Sequence, residues 1–300
     1  MKKPDFFIVG APKSGTTAMN EYLKRHPEIF IPDSKELHYF GSDLPFLKGG
    51  IDEVDRYLDL FDKAKNEKRV GEASVWYLFS KKAAHEIKKF SPDADIIIML
   101  RNPVDMLHSQ HSQFLKNSNE DILDFEEALE AEDERKKGQR IPESVHFVEG
   151  LFYKETVKYS EQVKRYLDVF GPEHVHIIIF DDFKTDVQKV YRDTLEFLRV
   201  DPEFTTTFEV INPNSSLRSK RMHDFLQNPP KTVRWVARAV MPFKPVRNFI
   251  WKKLGRYNEK FIPRKPMNQE LRRKLKEQFS NEVEQLSNLI GRDLSFWTHE

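Results

Sequence analysis

Lys13 sits inside the run Gly10-Ala11-Pro12-Lys13-Ser14-Gly15-Thr16-Thr17, which directly follows the apolar residues Phe6, Phe7, Ile8 and Val9. Those residue types in that order read as a buried strand, a tight turn and the start of a helix. Backbone N–H groups at such a helix start cradle an anion, and a lysine in the turn adds a full positive charge. The triphosphate-binding pattern G-x-x-x-x-G-K-[ST] is not met, because Thr16 stands where its lysine belongs. A lysine displaced into the loop points to a related but different anion. A second candidate anion site lies further along. Arg101 ends the apolar run Ile96 to Leu100, Asn102-Pro103 opens a helix, and Ser109 follows about two turns later. A guanidinium grips a phosphate monoester through two N–H groups, and a hydroxyl adds a donor. The segment Lys35-Glu36-Leu37-His38-Tyr39-Phe40 supplies a carboxylate and an imidazole, either of which can take a proton from an attacking hydroxyl.

The first motif resembles the sulfotransferases that use 3′-phosphoadenosine 5′-phosphosulfate (PAPS). Their phosphosulfate loop reads P-K-[ST]-G-T-T, met here by Pro12-Lys13-Ser14-Gly15-Thr16-Thr17. The resemblance implies that Lys13, Ser14, Gly15, Thr16 and Thr17 hold the 5′-phosphosulfate, with Lys13 also touching the transferring sulfuryl group. The same family has R-[ND]-P followed by a serine eight residues after the arginine, and Arg101 and Ser109 match it. That implies a grip on the 3′-phosphate. In the glycosaminoglycan branch an E-x-x-[FY]-F segment carries the catalytic base, and Glu36-Leu37-His38-Tyr39-Phe40 matches it. Gly49-Gly50-Ile51-Asp52 and Tyr57 also resemble that branch. His38 stands as the rival base, since cytosolic members use a histidine from a different chain position. The implied co-substrate is PAPS, the product is adenosine 3′,5′-bisphosphate (PAP), and no metal is called for.

There are departures from the family pattern. The carbohydrate branch has E-K-S-x-x-Y, whereas this chain reads Glu72-Ala73-Ser74-Val75-Trp76-Tyr77 and so lacks that lysine. Ala18 stands where cytosolic members often carry an adenine-stacking tryptophan, and their glycine-rich 3′-phosphate motif is not recognisable. The segment 212–221 lies in roughly its place. There Arg218, Lys220 or Arg221 could supply a cation to the donor, with an exposed basic loop an equal alternative. The resemblance covers the chain to about residue 200.

These residues need strands and helices to hold them. Short apolar runs at 5–9, 69–73, 95–100 and 175–180 predict parallel strands covered on both faces. Helical segments are expected at 51–61, 81–90, 103–115, 152–170 and 187–198. Alternating β and α elements predict an α/β fold, a doubly wound parallel sheet flanked by helices and like that of P-loop nucleotidases. Ligands then bind at the C-terminal ends of strands, where both anion motifs fall. The expected organisation is one domain over 1-300, with 1-200 the PAPS-binding core and 201-300 a mostly helical part completing the donor and acceptor site. An amphipathic helix is expected over 269–290, with Leu271, Leu275, Phe279, Val283, Leu286 and Ile290 near helical spacing.

Bulk properties narrow the classes. With 300 residues, 39% hydrophobic, the chain can bury a large core. A net charge of +1 gives no global pull toward nucleic acid. Zero cysteines exclude disulfides, cysteine-ligated zinc and thiol nucleophiles, and fit a reducing compartment. Met1-Lys2-Lys3 leads straight into the first strand, leaving no signal-peptide core, and no apolar run approaches the ~20 residues that span a bilayer. A cytoplasmic, bacterial enzyme is expected. Residues 120–134 are acidic. The segment 217–265 is strongly basic and carries Trp235, Phe243, Phe249 and Trp251. It reads as a helical cap, a wall of the acceptor site or a peripheral contact with an anionic membrane. The acceptor is a small-molecule, lipid or carbohydrate hydroxyl or amine. Two other readings stand beside this one: an ATP- or GTP-dependent phosphotransferase, which requires Mg²⁺ at a triphosphate, and a catalytically silent nucleotide-binding protein that docks a partner.

Overall fold

A computed structural model describes residues 2–44, 53–209 and 266–299, with isolated positions between 215 and 261. The described chain divides into two compact units, one of residues 1–211 with 267–300 and one of residues 212–266.

The first unit is built on a five-stranded parallel sheet. Its strands are β1 (Phe6–Gly10), β2 (Ile29–Phe30), β3 (Arg69–Ala73), β4 (Asp95–Leu100) and β5 (Val175–Ile179), in the order β2-β3-β1-β4-β5. β1 is central, with Phe6 opposite Gly71 of β3 and Asp95 of β4. Alternate side chains along these strands enter two separate cores, as the pleat requires. Phe7, Val9, Ile96, Ile98 and Leu100 join one cluster, while Phe6, Ile8, Ile97 and Met99 join the other. The sheet is therefore covered on both faces, and the predicted doubly wound α/β architecture is what the chain adopts.

The helices are α1 (Thr16–Lys24), α2 (Val54–Leu58), α3 (Ala83–Phe90), α4 (Pro103–Lys116), α5 (Phe125–Glu130), α6 (Glu132–Lys136), α7 (Tyr153–Thr156), α8 (Tyr159–Phe170), α9 (Phe180–Thr185) and α10 (Val187–Phe197). Two more, α11 (Gln269–Gln278) and α12 (Ser280–Ile290), follow the basic segment. α1 and α10 supply Met19, Leu23, Tyr191 and Leu195 to one core; α3, α4, α8, α11 and α12 supply Ile87, Leu107, Val163, Leu275 and Val283 to the other.

Several boundaries differ from the sequence reading. The helix expected over 152–170 is broken after Thr156, where the Tyr159 N–H donates to the Val157 carbonyl at 2.8 Å. The strand expected to reach residue 180 ends at Ile179, and Phe180 opens α9. The C-terminal amphipathic helix is two helices meeting at Phe279, with Leu271, Leu275, Phe279, Val283 and Leu286 buried as expected. No described helix is long and apolar enough to cross a membrane. In the second unit, β6 (Ser215–Leu217) pairs antiparallel with β7 (Glu259–Phe261).

Candidate active site

The loop after β1 is shaped by two glycines. A Cβ on Gly10 would lie 2.8 Å from the Val75 carbonyl and 2.6 Å from the Leu78 Cβ, so only glycine lets the 74–78 turn close on the strand end. Gly15 has φ 91°, a conformation that carries no steric penalty for glycine, and serves as the N-cap of α1. No side chain caps this helix and no acidic residue lies in its first turn. Its amides and positive dipole end are thus left for an external anion. Ser14 and Thr16 are buried, Thr17 is half-buried, and the Ser14 hydroxyl donates to the Pro12 carbonyl at 3.3 Å.

Lys13 is half-buried and held in the left-handed region at φ 58°, with its Nζ donating to Gln113 Oε1 at 3.2 Å. Arg101 leaves the end of β4 and its Nη1 donates to the Lys13 carbonyl at 3.1 Å. Its guanidinium lies 4.8 Å from the centroid of the Phe180 ring, and that ring covers Gly15 as well. The structure thus brings Lys13, Gly15 and Arg101 together around Phe180. Burial pulls the Arg101 guanidinium below its usual range, opposed by the charges of Asp105 and Asp181. A guanidinium remains protonated at any physiological pH even so.

The corner that carries Arg101 is locked from behind. Asn102 caps α4 by accepting from the Val104 N–H at 3.0 Å, and its amide donates to the Trp297 carbonyl at 2.9 Å. The Trp297 indole in turn donates to Asp181 at 2.8 Å. Ser109 lies on the buried side of α4, roughly 9 Å along the axis from Pro103 by the helical rise. Tyr159, at the start of α8, was not singled out by the sequence. It is fully buried, close enough to Arg101 for the cation to act on its phenol, and its hydroxyl has no hydrogen-bond partner among the described residues. A buried polar atom left unpaired is costly, and a hydroxyl beside a cation fits a bound anion or base.

Glu36 stands at the neighbouring strand end. Its N–H donates to the Ala73 carbonyl at 2.9 Å, and its Oε2 accepts from the Val75 N–H at 3.0 Å. Val75 is the residue whose carbonyl crowds Gly10, so the carboxylate and the phosphate-type loop share one backbone neighbour. Lys35 pairs with Glu36 Oε1, and His38 Nε2 lies 3.7 Å from Oε2, beyond hydrogen-bond reach. Burial pushes the His38 imidazole below its ordinary value, more than the neighbouring Glu36 raises it, so His38 is neutral near pH 7. Lys13, Glu36 and His38 make up three of the six non-glycine residues with positive φ among the described residues. Backbone held in this region gathers at functional sites. Arg218, Lys220 and Arg221 lie outside the described residues, as do Gly49-Gly50-Ile51-Asp52 and most of the basic segment.

The family model described as the sulfotransferase domain matches residues 3–242. The chain belongs to the sulfotransferase domain family. A crystal structure of a sulfotransferase from Alicyclobacillus acidocaldarius is 32% identical and covers 100% of both chains, with a TM-score of 0.75. Carbohydrate sulfotransferase 15 of Mus musculus is 26% identical over 253 residues, 66% of this chain and 44% of that protein. Bifunctional heparan sulfate N-deacetylase/N-sulfotransferase 3 of Homo sapiens is 27% identical over 210 residues, 67% of this chain and 23% of that protein. The chain thus spans less than half the length of these two curated relatives. Within the family match fall every strand of the parallel sheet and Lys13, Glu36, Arg101 and Tyr159, while Trp297 behind Asn102 lies beyond it.

Proposed function

We propose that the chain transfers a sulfuryl group from PAPS to a hydroxyl or amine acceptor, leaving PAP. The observation that carries this reading is the Arg101–Lys13 contact. It supports two anion subsites side by side, a loop with a helix N-terminus for the 5′-phosphosulfate and an arginine for the 3′-phosphate. Ser14, Gly15, Thr16 and Thr17 hold the first anion through the α1 amides and their hydroxyls. Arg101 and Ser109 hold the second, with Tyr159 offering its unpaired hydroxyl close by. Arg218 and Lys220, which lie outside the described residues, enter this reading from the sequence alone as cations for the donor. PAPS supplies an activated S–O bond, and transfer requires no metal from the protein.

Glu36 takes the acceptor proton as the acceptor oxygen or nitrogen forms its bond to sulfur. Lys13 neutralises the charge that builds on the 5′-phosphate oxygen as its S–O bond breaks. Lys35 and the Val75 N–H hold the Glu36 side chain and aim it. His38, neutral and on the same segment, is the second candidate for the base. Residues 1-300 act as one sulfotransferase domain in this reading, with 201-300 completing the donor and acceptor site. The Trp297 bond behind Asn102 supports a contribution from residues 267–300. The acceptor classes remain small molecule, lipid or carbohydrate, and the proposed place of action is the cytoplasm, with peripheral contact through the basic segment at an anionic membrane.

The test is transfer of label from ³⁵S-PAPS to a panel of sugar, lipid and phenolic acceptors. Labelled product from the native chain, lost in Lys13→Ala and Glu36→Gln, is the expected result. A chain that binds PAP yet labels nothing and releases no sulfate would make it a binding protein instead.

A further inference from the structure

Glu72 is a buried carboxylate at the end of β3 with no cation within ion-pair distance among the described residues. Three hydroxyls satisfy it. Tyr57 donates to Oε2 at 2.5 Å, and Ser74 and Tyr77 donate to Oε1 at 2.7 and 2.9 Å. A hydroxyl has one proton and two lone pairs, so a proton committed to Glu72 leaves oxygen lone pairs facing elsewhere. Those lone pairs are used. Ser74 Oγ accepts from the His38 N–H at 3.2 Å, and the Tyr77 hydroxyl accepts from the Tyr39 and Phe40 N–H groups at 2.9 and 3.2 Å. The Tyr57 ring stacks on Tyr39, with centroids 4.1 Å apart and planes at 10°. Three consecutive backbone amides of the segment carrying Glu36 and His38 therefore end on hydroxyls whose direction Glu72 sets.

We infer that Glu72 is a positioning residue, which through Ser74 and Tyr77 fixes the 36–40 segment and so aims the catalytic base. The inference rests on the reading of Glu36 as that base. A carboxylate suits the task because each of its oxygens accepts more than one hydrogen bond, and in the ionised form neither oxygen carries a proton that would turn a hydroxyl around. Burial, with a smaller push from the Glu36 charge, raises Glu72 to about 7, so keeping a carboxyl here works against its own ionisation. Glutamine is the conservative variant. Its carbonyl oxygen can still accept from Ser74 and Tyr77 while its amide donates to Tyr57. Leucine can do neither.

The experiment compares Glu72→Leu, Glu72→Gln, Tyr77→Phe and Glu36→Gln in the full chain. Amide hydrogen exchange is read at residues 38–40 and in the 10–17 loop. PAP affinity is measured by calorimetry, and PAPS turnover by PAP release with water as acceptor. Glu72→Leu should speed exchange at His38, Tyr39 and Phe40 at least tenfold and lower kcat at least tenfold. Exchange in 10–17, PAP affinity and the KM for PAPS should stay within about twofold, and Glu72→Gln should restore most of the loss. Tyr77→Phe keeps the carboxylate and two of its donors, and should speed exchange at Tyr39 and Phe40 but not at His38. It carries the test if Glu72→Leu does not fold. Unchanged exchange at 38–40 in a folded Glu72→Leu or Tyr77→Phe chain overturns the inference, as does a loss spread equally over 10–17. Full turnover in Glu36→Gln would sink the base assignment separately, leaving the exchange data to decide the role of Glu72.

Discussion

The Arg101 guanidinium donates to the Lys13 carbonyl across 3.1 Å, so the end of β4 braces the loop that follows β1. One cation thus serves the geometry of another. Arg101 keeps further N–H groups for a ligand, because a guanidinium has five donors. Replacing it with alanine should weaken PAP binding by about 1.5–3 kcal/mol, the range for hydrogen bonds to charged groups, or roughly 10- to 150-fold in Kd. Calorimetry reads this directly.

Lys13 is expected to matter more for turnover than for binding. Its charge is needed most when the bond to the leaving phosphate breaks, which is a transition-state effect. Lys13→Ala should lower kcat by about 10²–10³, in the range seen when one such electrostatic donor is removed. The KM for PAPS should change far less. Steady-state kinetics that showed the opposite split would assign Lys13 to ground-state binding.

Glu36→Gln keeps the shape of the side chain and its acceptor for the Val75 N–H but removes the base. A loss of about 10²–10⁴ in kcat is expected, with PAP affinity unchanged. His38→Ala assayed beside it separates the two candidates, since the true base shows the larger loss.

Gly15→Ala tests the loop geometry. Alanine at φ 91° is strained, and its Cβ would meet the Phe180 ring at 3.1 Å. A cost of about 1–2 kcal/mol for a left-handed conformation should appear as weaker PAP binding together with a lower melting temperature. Equal affinity in the two proteins would show that the helix start does not hold the anion.

Glu72 gives a pH prediction with a definite sign. Its folded-state value of about 7 lies above the ordinary 4.5. Folding therefore favours the neutral acid, and the favourable contribution is present at low pH and lost as pH rises through about 7. The difference of roughly 2.5 units corresponds to about 3 kcal/mol. Glu72→Gln has no such loss. The melting temperature of the variant relative to the native chain should rise by several degrees between pH 5.5 and pH 8.5, and a flat difference would contradict the raised value.

Much of this was readable from residue order because buried parallel strands are uninterrupted apolar runs. β3 and β4 have the bounds that the sequence implies, 69–73 and 95–100. β2 escaped because two residues, Ile29 and Phe30, carry no pattern. Phe180 read as strand because it is apolar, but it starts a helix and its ring lies between Gly15 and Arg101. The stretch at 120–134 read only as acidic, yet Glu120 is buried against Arg135 at 2.6 Å and takes the Tyr153 hydroxyl at 2.8 Å. Such pairings join distant residues, and no local spacing announces them. The same holds for Glu72. The sequence marked its segment for a lysine that is absent, while its importance lies in Tyr57, Ser74 and Tyr77, which only the fold brings to it. The Lys13 loop was legible because strand, turn and helix start are contiguous in the chain.

The most direct test of the whole account is calorimetric titration of the native chain with PAP and, separately, with ATP plus Mg²⁺, repeated on Arg101→Ala. The account predicts tight, metal-independent binding of PAP that weakens in the variant, with ATP binding poorly. Preferential, Mg²⁺-dependent binding of ATP, unaffected by Arg101→Ala, would contradict it and make the chain a phosphotransferase.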